Sequence, residues 1–567
     1  MQQTSIRRVI LIGTLLCVLC LAYFYVLDLK VFPTAGMTAI FILLLRTFDA
    51  QAAWLAVGIC LVAAFWTRPG PILRVVDFFG RHVLGTAIVL VLVVCAGTVW
   101  VYRDHPFSMD EYAAVFQAKI FASGHITAQL PPALVDWLIV PGFNGQFLIA
   151  SHATGQAMEI YWPGFSLLLA PFVFVGAPWL CNALLAGLAL YLIHRMTFDL
   201  LGDRQAAGWA TLFALGSGAF LANAISFYSM QAHLTANLFF AWLLFKPTNA
   251  RAVAAGLVGS LALLLHNPFP HVLFALPWIV GLALDKDQRR FLLPLVLGYL
   301  PLTLGIGIGW LALRSSIAPA GGHASSLANN LSGAFHWPDA LIVSMRLAAI
   351  VKLWLWAVPC LLIFAGIGAH QHWNDRRVRL LSLSALLTFC GYLFVTFDQG
   401  HGWGYRYFHS AWGVIPVLAG AAMAKTKAQE RLIVYAGTLA LLSLILVVPL
   451  QMFQINQVIS WQLAHLTVPL RPGNNIYFVK ADSGFYMGDT VQIDPQLRDQ
   501  DLILASRGVD LDSALILSNW PQARNMVSGA GGTGQWNLGP IDQRRSEPGS
   551  ANYKHFVFDA VPQVTTE

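Results

Sequence analysis

Most of the chain alternates between long apolar runs and short polar loops. From Arg81 onward, the apolar runs lie near 83–101, 178–194, 206–222, 233–245, 253–266, 271–284, 291–312, 349–369, 379–397, 411–424 and 432–452. A bilayer core of about 30 Å needs roughly 20 apolar residues per helix, and somewhat fewer where a bundle is thinned or loops dip in. The pattern therefore predicts eleven membrane spans after Arg81.

The first 82 residues follow the pattern less regularly. An apolar run at 9–27 follows Arg7 and Arg8, whereas the stretch 31–66 is too long for one helix and is interrupted by Arg46 and Asp49. We expect two spans here, which brings the total to thirteen. The run at 9–27 lacks a small-residue cleavage site, so we interpret it as membrane and not as a secretory signal.

Charge in the loops predicts the orientation. With Arg81 on the cytoplasmic side, the short loops of that side hold sixteen Lys and Arg residues, and the opposite loops hold five. Cytoplasmic loops of membrane proteins carry such an excess. We therefore expect a multi-pass protein of a bacterial inner (plasma) membrane, with the large loop 102–177 and the tail 453–567 facing the periplasm or the outside.

Composition excludes a water-soluble enzyme. Apolar residues make up 57% of the chain and charged residues 11%, against about 25% charged in ordinary soluble domains. Residues 1–452 hold 26 Lys and Arg against 16 Asp and Glu, and residues 453–567 hold 8 against 11. The basic residues form no stripe with interleaved aromatics, so membrane lipids and not nucleic acid are the expected partner.

Two segments lie outside the apolar pattern, the loop 102–177 and the tail 453–567. Strand-like pieces at Ile476–Val479 and Phe556–Phe558, with turn residues at Ser528–Gly534, predict a small α/β or β-rich domain in the tail. The predicted fold is an all-α polytopic membrane bundle with this C-terminal domain. We divide the chain into N-terminal membrane helices (1–82), a transmembrane catalytic domain (83–452) that contains the loop, and an outer domain (453–567).

The large loop opens with two adjacent acids, Asp110 and Glu111. Apolar residues recur at spacings of four, three and four positions from Met109 to Ile120, which predicts an amphipathic helix on the membrane surface. A carboxylate at the mouth of the bundle could accept the proton of a hydroxyl that attacks an activated sugar. Acids are also favoured at any helix N-terminus, and spacing alone favours that second interpretation.

A second candidate is the glycine- and aromatic-rich loop 397–409, in which Arg406 lies between Tyr405 and Tyr407. A charge at membrane depth is costly and often marks a substrate, and a guanidinium can bind two phosphate oxygens at once. Arg406 could instead stack on Tyr405 or Trp403, or pair with Asp398, and serve only as an anchor. Both interpretations stay open.

Three more residues complete the predicted substrate-binding set. Lys119 is among the few cations on the predicted outer side, Glu159 lies close to the end of the large loop, and His266 lies in a turn between spans. Glu159 could face the same cavity as Asp110. The histidines lack metal-site spacing backed by carboxylates, so we predict no cofactor; a divalent metal is possible but unsupported.

Together these motifs resemble the GT-C membrane glycosyltransferases, in the branch that includes protein O-mannosyltransferases and the lipid A aminoarabinose transferase. The resemblance covers residues 83–452. It is carried by Asp110-Glu111 at the loop start, a helix ending in Gly124, Tyr161-Trp162-Pro163 at the re-entry, and Arg406-Tyr407 before a span that contains Pro416.

The resemblance implies an inverting transfer of a sugar from a polyprenyl-phosphate carrier to an acceptor on the outer face. It implies that Asp110 is the catalytic or acceptor-orienting acid, that Glu111 is the second acid, and that Arg406 and Tyr407 form the late motif. The aminoarabinose branch has Lys-Pro-Pro where this chain has residues 159–163, so the acceptor, whether lipid, glycan or protein, stays open.

We therefore predict an integral membrane glycosyltransferase. One alternative is a transporter or flippase of lipid-linked saccharides, although the chain shows no internal repeat of the kind that transporters have. A glycan polymerase or ligase is another, although the late loop is short and holds a single arginine.

Overall fold

The computed structural model describes residues 3–26, 40, 42–317, 337–395, 402–424, 430–466, 474–484, 486–529, 533–539 and 556–562. These residues are mostly helical. In chain order the helices are α1 (Gln3–Val26), α2 (Ile42–Phe65), α3 (Gly70–Arg81), α4 (Val83–Trp100), α5 (Met109–Ala122), α6 (Val135–Leu138), α7 (Gly164–Phe174), α8 (Leu180–Leu201), α9 (Arg204–Leu215), α10 (Gly218–Ile225), α11 (Met230–Leu244), α12 (Asn249–Leu264), α13 (Phe269–Leu284), α14 (Arg289–Ile317), α15 (Ala340–Leu355), α16 (Leu361–Gln371), α17 (Arg376–Leu393), α18 (Arg406–Trp412), α19 (Val414–Ala424), α20 (Glu430–Leu442), α21 (Val448–Leu466) and α22 (Val509–Asn519).

Within the described residues, six helical stretches are long and apolar enough to cross a bilayer, or up to eight if each of two bent pairs counts as one span. The bent pairs are α9 with α10, at 62°, and α18 with α19, at 47°. The chain is an integral membrane protein. The count of thirteen spans is not confirmed and stays a prediction.

One predicted span is wrong in its course. The apolar run near 349–369 is divided between α15 and α16, and Cys360 between them has a left-handed φ of 68°. The hydroxyl of Ser217 accepts from the Val358 amide at 3.1 Å, and the Ala219 amide donates to the Trp356 carbonyl at 2.9 Å. Neighbouring groups thus form hydrogen bonds with the backbone N–H and C=O groups that the broken helix leaves without a partner inside the helix. Such a break is tolerated in a membrane protein for this reason.

The described chain divides into two compact units. The first comprises residues 1–101, 179–307 and 325–455, and its helices approach closely where residues are small. Gly256 of α12 and Gly298 of α14 lie against each other's helix so closely that a Cβ at either would collide with backbone. Small residues permit the close backbone contact that drives helix association in lipid.

The second unit comprises residues 102–178, 308–324 and 456–567, so the large loop and the tail belong to one body. Loop strands β1 (Ala128–Gln129), β2 (Leu148–Ala150) and β3 (Gln156–Glu159) form an antiparallel sheet in the order β1-β3-β2. Tail strands β4 (Asn475–Val479), β5 (Asp501–Ala505), β6 (Arg524–Gly529) and β7 (Thr533–Asn537) form a sheet in the order β5-β4-β7-β6, in which only the β4–β5 pair is parallel.

One hydrophobic core joins the loop and tail of this unit. Phe116 and Trp137 of the loop share it with Ile476, Phe478 and Leu502 of the tail sheet. The mixed α/β tail agrees with the prediction, and so does the strand at Ile476–Val479. The predicted division into loop-bearing membrane domain and separate tail cuts across this core.

Two local predictions for this unit are wrong. Helix α5 is buried on nearly every side, from Met109 through Ile120, and is a core helix and not an amphipathic surface helix. Phe556–Phe558 is not a strand; both rings pack edge-on against Trp520, and the Asn519 side chain binds the backbone that follows them. In both places tertiary contacts, which the local pattern does not contain, determine the structure.

Candidate functional site

The start of α5 explains why two acids stand side by side. Ser108 is the N-cap of the helix and forms a capping box with Glu111. One Glu111 carboxylate oxygen accepts from the amides of Phe107 and Ser108 at 2.9 and 3.2 Å, and the side chain is fully buried. Such a box satisfies amides that a helix start leaves free. Glu111 thus holds the turn, and its predicted contact with substrate stays a prediction.

Asp110 has a different environment from its neighbour. It is half-buried, in the first turn of α5, where the helix dipole favours a negative charge. The Tyr161 hydroxyl donates to Asp110 Oδ1 at 2.5 Å, and the Trp310 indole in turn donates to the Tyr161 carbonyl at 2.8 Å. Tyr161, which belongs to the re-entry motif of the sequence, therefore orients the acid. The result is a partly accessible carboxylate with a fixed direction, as a general base requires.

A second carboxylate close to Asp110 comes from the tail. Asp489 Oδ1 accepts from the Met109 amide at 2.7 Å, and Asp489 is 8% exposed. Burial raises the pKa of Asp489 to about 7, and the nearby charge of Asp110 raises it further against the lowering effect of the Met109 amide. The sequence gives no signal for Asp489, because it follows 378 positions after Glu111 and lies in no recognisable motif.

Glu159 is buried and does not share the exposure of Asp110. Its carboxylate accepts from the Ser166 hydroxyl at 2.5 Å, and its amide donates to the Gln117 side chain at 3.1 Å. Burial raises the pKa of Glu159 well above its usual range, while the Ser166 hydroxyl lowers it. Lys119 is one-third exposed and lies 3.6 Å from Asp494 of the tail. Substrate contacts for Glu159 and Lys119 stay predictions.

In the first unit, the late loop is held by aromatic contacts. Arg406 is 7% exposed, and its guanidinium carbon lies 4.5 Å from the centre of the Tyr228 ring. Tyr228 is thus an aromatic partner of Arg406, from a part of the chain other than the late loop. Residues 397–401, including the suggested partner Asp398, lie outside the described part of the chain.

The two tyrosines beside Arg406 are part of the same packing. Tyr405 is buried, with its ring 6.3 Å from that of Phe389. Tyr407 stacks on Tyr392 with ring centres 4.9 Å apart, and the Arg346 guanidinium lies 5.0 Å from the Tyr407 ring. The structure therefore gives both tyrosines a packing role, and their predicted contact with substrate stays a prediction.

A buried ion pair in the first unit was missed. Lys352 lies 3.2 Å from Asp49, both side chains are about 4% exposed or less, and Lys352 also donates to the Gly402 carbonyl at 3.1 Å. The Trp356 indole donates to the other Asp49 oxygen at 2.9 Å. Lys352 stands within a predicted span, and Asp49 was noted only as an interruption of one. A charge in each of two distant apolar runs is the signal from which their pairing could have been predicted.

Four of the described histidines of the first unit are buried: His194, His233, His271 and His409. His271 binds the Asn237 amide oxygen at 2.7 Å and the Tyr299 hydroxyl at 2.6 Å. His266 is half-buried in the connection between α12 and α13; its predicted contact with substrate is untested. Among the described residues, no group of three His, Cys, Asp or Glu side chains is placed to hold a metal ion.

Comparison with solved structures identifies the architecture. A crystal structure of ArnT from Cupriavidus metallidurans bound to undecaprenyl phosphate superposes with a TM-score of 0.52 at 12% identity, covering 80% of this chain and 97% of that one. The chain has an ArnT-like fold. The apo structure of the same ArnT gives a TM-score of 0.46 at 12% identity, covering 77% of this chain and 91% of that one.

The ArnT-like fold confirms the GT-C-like architecture that the resemblance predicted. At this level of identity the similarity extends to the fold and not to individual residues. No protein-family model matches the sequence, and no curated protein matches it.

Proposed function

We propose that this protein is an integral membrane glycosyltransferase that moves a sugar from a polyprenyl-phosphate carrier to an envelope acceptor. The observation that carries the proposal is the fold, which is like that of an ArnT captured with undecaprenyl phosphate. A multi-pass membrane protein with this fold suits a donor whose polyprenyl chain is embedded in lipid. The periplasmic face of a bacterial inner membrane is the proposed place of reaction.

Asp110 is the proposed general base. An acceptor hydroxyl gives its proton to a carboxylate oxygen of Asp110 while its own oxygen bonds to the anomeric carbon of the donor sugar. The bond from that carbon to the phosphate oxygen breaks, and the electron pair leaves with the polyprenyl phosphate. One displacement of this kind inverts the anomeric configuration. Tyr161 supports the role because its hydroxyl binds Asp110 Oδ1 and so fixes the direction of the carboxylate.

Arg406 is the proposed partner of the departing phosphate. The leaving phosphate gains negative charge in the transition state, and a fixed guanidinium offsets it most effectively where water is scarce. Arg406 is buried and held by the Tyr228 ring, so it is already oriented. Lys119 is the second choice, because its ion pair with Asp494 competes for its charge.

The first experiment identifies the substrates. Lipid-linked sugars and envelope glycans are extracted from a deletion strain and compared with the parent strain by mass spectrometry. We expect an accumulated polyprenyl-phosphate sugar and an acceptor that has lost the same sugar. A deletion strain that leaves both unchanged, under conditions where the parent expresses the protein, would contradict the proposal.

The second experiment tests the base. The donor found in this way is supplied to purified wild type, Asp110→Asn and Asp104→Asn. Asp104 is a matched control because it lies exposed in the same loop. We expect Asp110→Asn to lose at least about a hundredfold in kcat, the usual contribution of general-base catalysis. Asp104→Asn keeps wild-type activity. Full activity of folded Asp110→Asn would remove Asp110 from the mechanism.

A further inference from the structure

Residues of the tail form hydrogen bonds with the start of the helix that carries Asp110. Besides the bond from the Met109 amide to Asp489, Gln492 donates to the Pro106 carbonyl at 2.6 Å. The Tyr112 hydroxyl donates to the Ile493 carbonyl at 2.7 Å and accepts from its amide at 2.8 Å. Residues 489–493 of the tail thus bind the segment before α5 at Pro106 and the first turn of α5 at Met109 and Tyr112.

Asp489 and Asp110 together place two carboxyl groups at one helix turn. Asp489 accepts from the amide of Met109, and Asp110 is the next residue. The two carboxylates repel each other when both are ionised. Asp489 is buried, and burial makes it keep its proton to a pH above the usual range of an aspartate.

The other titrating groups near this turn are hydrogen-bonded, ion-paired or shifted by burial. Glu111 binds the amides of the capping box, burial lowers the pKa of His105 to about 4, and Lys119 pairs with Asp494. Asp110 is the one whose charge raises the pKa of Asp489.

We propose that Asp489 is a positioning residue for the transfer proposed above: it fixes the helix turn beneath Asp110 and, once ionised, makes Asp110 a stronger acceptor for the hydroxyl proton. The inference rests on Asp110 being the base. When Asp110 takes the proton, the repulsion between the two carboxylates disappears, so the neighbouring anion lowers the barrier to proton transfer. The tail is then part of the catalytic apparatus through one side chain.

The test is the pH dependence of kcat between pH 5.5 and 8.5, measured at saturating donor and acceptor. We expect the wild-type kcat to rise with an inflection near pH 7, where Asp489 ionises. Asp489→Asn keeps an oxygen for the Met109 amide but never ionises, so its profile lacks this rise. At pH 8 we expect the kcat of Asp489→Asn to be about three- to tenfold lower than that of wild type. A loss of roughly one unit in the basicity of Asp110 has this effect when the proton is only partly transferred in the transition state. Asp482→Asn, in an exposed part of the tail, keeps the wild-type profile.

The outcomes separate the two levels of the proposal. If Asp110→Asn is active, the base assignment fails together with this inference. If Asp110→Asn is inactive but Asp489→Asn shows the wild-type inflection, only this inference is overturned. Asp489→Ala removes the oxygen that binds the Met109 amide. Positioning is supported if Asp489→Ala loses kcat at an unchanged donor KM and Asp489→Asn recovers part of that loss. The inference is overturned if Asp489→Ala and Asp489→Asn lose kcat equally, have a lower Tm and keep the wild-type inflection. That result would mean that Asp489 gives structural support alone.

Discussion

The Asp49–Lys352 ion pair offers the sharpest test of which interactions stabilise the first unit. The two side chains are 3.2 Å apart and almost completely buried, and they connect α2, α15 and the Gly402 carbonyl of the late loop. We consider Asp49→Asn, Lys352→Met and the double variant. Asn keeps an acceptor for the Trp356 indole, so Asp49→Asn removes mainly the charge.

The expected magnitude follows from burial. Removing one member of a buried pair leaves the other charge without compensation and costs about 3–5 kcal/mol. Replacing both members with neutral side chains removes that penalty, so the double variant is expected to be more stable than either single variant. For a chain of this size, 1 kcal/mol changes Tm by about 1 °C, so each single variant is expected to lose about 3–5 °C.

The assay is thermal unfolding of the purified protein in detergent, followed by tryptophan fluorescence. Asp77→Asn serves as the control, because it removes the same charge from an exposed i,i+4 pair with Arg81 and is expected to leave Tm unchanged. If the losses of the two single variants add in the double variant, the side chains are not coupled. The assignment of this pair as a link between α2, α15 and the late loop would then be wrong.

Three more predictions concern single positions. Arg406→Lys keeps the charge but loses the planar guanidinium over Tyr228, and steady-state kinetics should show a donor KM raised about tenfold; a wild-type KM would argue against phosphate binding. The pKa of Glu159 is raised in the folded protein, so above about pH 4.5 the unfolded chain releases this proton more readily than the folded one. The Tm of wild type should therefore fall relative to that of Glu159→Gln as the pH rises above about 4.5. A constant Tm difference from pH 5 to 8 would contradict the burial of Glu159 as a neutral acid. Gly256→Leu should lower stability by about 1–3 kcal/mol in the same unfolding assay, whereas Gly58→Leu, which faces open space, should not.

The membrane character and the general architecture could be predicted from sequence because apolar run length is a local property. The strand at Ile476–Val479 and the helix after Ser108 were predictable for the same reason. The division of the 349–369 run was not, because its broken backbone is satisfied by Ser217 and Ala219 from another helix. The number of spans likewise depends on how bent and short helices combine.

Asp110 could be proposed from the sequence, but its surroundings could not. Tyr161 binds Asp110 and Asp489 binds the amide of the residue before it, both from segments distant in sequence, and no local pattern marks either as a partner. The capping role of Glu111 was one of the two interpretations of the acid pair, and the structure shows it for Glu111 while leaving Asp110 partly accessible. The partner of Arg406 was predicted as an aromatic side chain, and Tyr228 comes from a different part of the chain from those proposed.

The shared core of loop and tail also has a consequence for biosynthesis. The loop residues of that core end at Ala157, and the first tail residue of the core, Ile476, is synthesised more than 300 residues later. At roughly 5–20 residues per second the ribosome needs about 15–60 s to cover that interval. During this time Phe116, Trp137 and their neighbours have no tail to cover them. A premature stop codon late in the gene would therefore leave the early loop, and not only the missing tail, without its hydrophobic partner.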